Sequence, residues 1–230
     1  MLPTPQRPYV QTATERLDPV EVYLPLAFKA GVYALLTVYF FQATDAFASY
    51  QPGHNWGFLL WITRTFTFLP LHEGGHFLFR FFGQTLYVLG GSFWQITFPL
   101  LWFVIAVRQR SQVFPFALFW VGENMMDVSL YIRDAPARML PLLGGDKSGH
   151  DWHYLLSRWD MMDDAGAFAD IMFYGGAAIC IGAIATGITW AVMVFIRSLR
   201  PVPVIPPAKV DTRTPLEDAL DDQLKREGGA

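Results

Sequence analysis

The sequence predicts an all-helical integral membrane protein of about five transmembrane helices, with a further amphipathic helix lying at the membrane surface. Three observations predict it. Of the 230 residues 53% are hydrophobic and 16% aromatic, a share that belongs to the membrane class rather than to an ordinary soluble domain. Apolar runs of roughly twenty residues recur along the chain, enough to cross a hydrocarbon layer about 30 Å thick. Most charged residues fall between those runs, so the few inside them stand out as candidates for function.

The formal net charge of −3 gives no sign of a nucleic-acid partner, and none is expected. Cys180 is the only cysteine and lies in an apolar stretch, so neither a disulfide framework nor a thiolate metal site is available.

Residues 1–20 hold Pro, Thr and charge without the apolar core of a signal peptide, and read as an exposed leader. A membrane domain follows over 21–198. Its first span runs from Val22 to about Thr44, with Pro25 and Lys29 near one end. The turn at 45–56 carries His54, read as a solvated loop histidine, and Trp56 at the interface. The second span begins near Gly57, and Pro70 removes a backbone donor, so a kink or a new turn is expected there. Arg64, flanked by Thr63, Thr65 and Thr67, must face other helices or a water-filled cavity at that depth.

Residues 86–107 either cross fully or enter as a re-entrant piece, because Gly90-Gly91 and Pro99 interrupt them. A re-entrant backbone could offer an extended edge to which a substrate strand adds. The fourth apolar segment is 113–132. After it, 133–166 reads as a polar loop in which HDWHYLLSRWDMM forms the amphipathic surface helix. The last span, 168–196, carries Gly175-Gly176, Gly182 and Gly187, which permit close helix contact. The tail, 199–230, is Pro-rich and charged and reads as extended linker, with a short helix available at Leu216–Leu220. Lys and Arg are shared too evenly between alternate loops to set an orientation.

The chemistry concentrates at His72-Glu73-Gly74-Gly75-His76, an HExxH sequence inside the second span. Residues four apart share a helical face, so His72 and His76 can offer two imidazoles to one metal ion, with Glu73 beside them as general base. Zinc is the expected cofactor, because such an ion acidifies a bound water and Glu73 can take its proton. A catalytic zinc site usually has three protein ligands, which leaves one to find. Asp127 is the first candidate: it shares a face with Glu123 in the fourth segment, and two buried carboxylates there call for a cation, either a metal ion or, as helix-packing partners, Arg64 or Arg133. Glu123, Asn124 and Arg64 would then orient ligands or contact substrate. His150 is the alternative third ligand, since four of the five histidines lie in two close pairs, His72 with His76 and His150 with His153.

An HExxH on an apolar segment, followed two segments later by an intramembrane aspartate preceded by asparagine, resembles the site-2 protease group of intramembrane zinc metalloproteases. The resemblance covers residues 57–133. It implies that His72, His76 and Asp127 hold zinc, that Glu73 is the general base, and that Asn124 lies near the substrate carbonyl. It also implies a peptidase acting on a membrane-associated protein, with lipid and a membrane-protein substrate as partners and an oligomer or larger complex open. Compact loops suit a bacterial inner membrane. Two rivals stand beside it: a non-enzymatic subunit of a membrane complex, and a di-iron oxygenase or desaturase, for which five histidines are too few.

Overall fold

The computed structural model describes residues 19–49, 57–140, 149–199, 219–220 and 223–224, with side chains from Leu24 onward. The expected leader, the turn around His54, residues 141–148 of the polar loop and most of the tail lie outside these residues. Every described element is helical: α1 (Pro19–Ala48), α2 (Phe58–Thr63), a π-helical turn (Arg64–Phe68), α3 (Leu69–Phe79), α4 (Gln84–Arg108), α5 (Phe114–Asp134), α6 (Asp151–Arg158), a 3₁₀ turn (Met162–Asp164) and α7 (Ala165–Ser198). Asp18–Ser198 forms one compact unit; of the separate unit outside it, Ala219, Leu220, Gln223 and Leu224 are helical.

Three of these helices are long and apolar enough to cross a membrane: Leu24–Ala48, Gln84–Arg108 and Met162–Ser198. The five-span count is not reached by that measure, for two physical reasons. The second apolar segment is divided by its π-turn into short pieces, and α5 carries Glu123, Asp127, Arg133 and Asp134 within a single helix. The re-entrant reading of 86–107 is corrected as well. Gln84–Arg108 is one continuous helix of 25 residues that takes Gly90, Gly91 and Pro99 within it, so its backbone offers no edge for strand addition.

Pro70 accounts for the π-turn. Lacking an N–H, it leaves the Phe66 carbonyl without its usual helical partner, and the preceding turn widens until the Leu69 N–H reaches the Arg64 carbonyl. The expected break therefore arrives just upstream of the proline, and it sets the direction in which α3 carries its histidines.

Lipid tails are as apolar as leucine, so helices here gain by close packing rather than by escape from water. The α5–α7 crossing shows the consequence. A Cβ on Gly122 would come 2.5 Å from the Gly176 carbonyl oxygen and 2.7 Å from Cys180 Sγ, so backbone meets backbone only because both residues are glycine. Gly122→Ala should cost about 1–3 kcal/mol. Gly182→Ala, with nothing within 4 Å of its added carbon, should be neutral. Thermal melting in detergent checks the pair, and equal melting temperatures would refute the crossing as drawn.

The amphipathic helix is α6. Leu155 and Leu156 are buried beneath it, the Trp152 indole N–H donates to Ser92 Oγ on α4 (3.0 Å), and His153 Nδ1 donates to the Ala135 carbonyl (2.9 Å). At its start His150 acts as a cap. Its Nδ1 accepts from the His153 N–H at 3.2 Å, and its Nε2 donates to Asp134 Oδ2 at 3.2 Å. Asp134 also accepts from the Met139 and Leu140 N–H groups, which folds the chain back toward α6. Burial lowers the His150 imidazole pKa, in keeping with a neutral ring whose Nδ1 is an acceptor.

Candidate metal centre

His72 and His76 leave α3 on one face, with ring centroids 4.8 Å apart and both rings buried. Their inner nitrogens are committed. His76 Nδ1 lies 2.8 Å from the Tyr87 carbonyl oxygen, which can only accept, so Nδ1 carries the proton. His72 Nδ1 lies 3.1 Å from Gln95 Oε1. The Gln95 amide donates to Asp127 Oδ2 at 2.8 Å, and Arg64 Nε stands 2.9 Å from Asp127 Oδ1. Gln95 must therefore turn its oxygen toward His72, and His72 Nδ1 also carries its proton.

With both Nδ1 atoms protonated, both Nε2 atoms present lone pairs, and both face the same oxygen. Asp151 Oδ2 is 2.8 Å from His72 Nε2 and 3.2 Å from His76 Nε2. A neutral imidazole has one N–H, so this arrangement sets two lone pairs against a carboxylate. It is relieved if both rings become imidazolium or if a cation lies among the three donors. Burial works to raise the Asp151 carboxyl, and the two rings outweigh it and lower the group only as imidazolium, when each Nε2 donates to the carboxylate.

The dimensions suit a single ion. The three donor atoms lie within 4.8 Å of one another. Ligands held tetrahedrally at about 2.0–2.1 Å stand roughly 3.3 Å apart, and Asp151 Oδ2 lies 2.8 and 3.2 Å from the two Nε2 atoms. The α4 backbone forms the floor: a Cβ on Gly91 would sit 2.6 Å from His76 Nε2 and 2.7 Å from His72 Nε2, in the space an ion would take. Gly91→Ala should therefore empty the centre. Metal analysis of the purified variant should read close to zero, whereas Gly74→Ala, whose added carbon meets only Trp94 at 3.9 Å, should keep its metal.

The expected site residues are thus divided by the fold. His72 and His76 come together, and exposed Glu73 lines a cavity of about 280 Å³ over them with Gln84, Tyr87, Tyr131, Tyr154 and Asp151. Asp127 does not stand at the donor face of the imidazoles. It is turned to Arg64 and Gln95, one residue removed from His72, and Asp151 takes the place expected of it. His150 stands outside the converging group: its Nδ1 caps α6 and its Nε2 is bonded to Asp134. Asn124 is fully buried, donates to the Trp120 carbonyl at 2.7 Å and does not line the cavity. Glu123 lines a different, apolar cavity.

Asp151, Gln95 and Tyr87 were not legible as site residues. The signal for Asp151 was its place at the head of an amphipathic helix beside the second histidine pair, where an acid also suits the helix N-terminus. Comparison with protein-family models, curated proteins and solved structures finds no match for this chain.

Proposed function

We propose that this chain is a membrane-embedded zinc-dependent peptidase that cleaves a peptide bond of a membrane-associated protein, with His72, His76 and Asp151 as ligands and Glu73 as general base. The observation that carries the reading is the convergence of two oriented Nε2 atoms on one carboxylate oxygen, beside an acid that lines the same cavity. Zinc bound there would supply an acidified water and polarise a carbonyl. The chain's own residues do the rest. Gln95 and Tyr87 hold the imidazoles in the donor tautomer, Asp127 and Arg64 hold Gln95, and Glu73 accepts a proton from the attacking water.

A peptide bond inside a membrane is shielded both by lipid and by its own helix, so hydrolysis needs a polar chamber at the ion. The cavity over the histidines, with its tyrosines, Gln84 and Glu73, has that character. The compact loops of the sequence suit a bacterial inner membrane as the setting. The test is purification in detergent, metal analysis, and reconstitution with a membrane-anchored reporter. One zinc per chain with chelator-sensitive cleavage supports the reading. Two irons or no metal would overturn it.

A further inference from the structure

A second cavity has no part in the chemistry above. It holds about 480 Å³ between α1, α2, the π-turn, α4 and α5, and is walled by apolar side chains including Leu36, Ile62, Trp102 and Phe119. Four residues with a hydroxyl or carboxyl group interrupt that lining: Thr63 and Thr67 donate to the carbonyls four residues before them, while Tyr39 and Glu123 are 8% and 5% exposed. Tyr39 Oη and Glu123 Oε1 have no hydrogen-bond partner among the described residues.

Asp127 Oδ1 also makes no hydrogen bond, but it has Arg64 at 2.9 Å; among the described residues Glu123 is the buried acid without an ion-pair partner. Asp127 has Arg64 and Gln95; Asp134 has His150 and two backbone N–H groups. Glu123 lies one helical turn from Asp127, on the same face, and the guanidinium nearby is already engaged. A buried acid without a counter-ion is costly, and inside a membrane such a residue marks a functional contact.

We propose that this cavity is the docking site of a second transmembrane helix carrying a lysine or arginine at mid-membrane depth, with Glu123 as the partner of that cation. Depth selects this occupant. Glu123 lines the same cavity as Tyr39, which is well inside the span Leu24–Ala48. A lipid-like amine would have to pull its head to the centre of the bilayer, whereas a spanning helix delivers a side chain at that level. The rim is open to such an approach, with Leu35 58% exposed and Phe116 43% exposed. The apolar walls suit the methylene stem of the incoming residue. The inference is independent of the metal centre and of cleavage.

The experiment places donor-labelled protein in phosphatidylcholine vesicles with acceptor-labelled poly-leucine spanning peptides that carry Lys, Leu or Glu at the central position. Energy transfer should show the Lys peptide binding roughly tenfold more tightly than the Leu peptide, within the range of polar contacts between membrane helices. Glu123→Gln should erase that preference and leave Leu-peptide binding unchanged, and Glu123→Lys should transfer it to the Glu peptide. Leu35→Trp, which narrows the rim and leaves Glu123 in place, should weaken the Lys peptide in a protein whose melting is unaltered. Equal affinities for the three peptides would overturn the proposal, as would a Lys preference that survives Glu123→Gln. Glu123-dependent binding of dodecylamine without a Lys-peptide preference would overturn it in favour of a small amphiphile.

Discussion

Glu73→Gln should retain one metal ion per chain and lose cleavage by roughly 10²–10⁴-fold, the usual contribution of a positioned general base. The amide keeps the size and position of the carboxyl and gives up its proton affinity. None of the three converging donors is Glu73, so binding of the ion should be unaffected. Parallel metal analysis and reporter cleavage on the same preparation separate the two effects. Loss of metal together with activity would make Glu73 a ligand, and undiminished cleavage would remove it from the mechanism.

The second large effect distinguishes two aspartates. Asp151→Ala should bring metal content close to zero, because it removes the donor on which both Nε2 atoms converge. Asp127→Asn should leave the ion bound but loosen it by about 10–100-fold, the range for residues that orient a ligand from behind. Its route is indirect: an amide at Asp127 weakens the anchor of Gln95, and Gln95 then no longer fixes the His72 tautomer. Competition with a chromogenic chelator measures both affinities. If the two outcomes were exchanged, Asp127 would be the ligand and Asp151 an ordinary partner of the histidines.

Part of this site could be read directly from the order of residues. Helical spacing alone puts His72 and His76 on one face, and an acid between them has few roles other than the one proposed. Arg64 was legible as a residue that must find company, and Pro70 as a break in its helix. The third member of the converging group was not legible. Asp127 had the better sequence argument, since it was apolar-flanked and close to a second acid. In the structure Asp127 meets Arg64 instead, the pairing that the same segment also allowed, with Arg64 at the start of the π-turn.

Asp151 shows the converse. Along the chain it is one acid in a polar loop, beside histidines that looked like ligands themselves. Capping by His150, the Trp152–Ser92 bond and the burial of Leu155 and Leu156 seat α6 against α4 and α5, and that seating carries Asp151 over Gly91 to the imidazoles. The cap is local, but the Trp152–Ser92 bond joins residues 60 apart in sequence and depends on which partner is nearer in space.

The sequence by itself determined a helical membrane chain and an HExxH pair of imidazoles, because hydropathy and helical period are local properties that survive any arrangement of the helices. Only the tertiary structure decided which aspartate meets those imidazoles, and that Glu123 is left facing an apolar cavity. Those outcomes follow from how tightly backbones can approach at glycine and from which charges the packing pairs first.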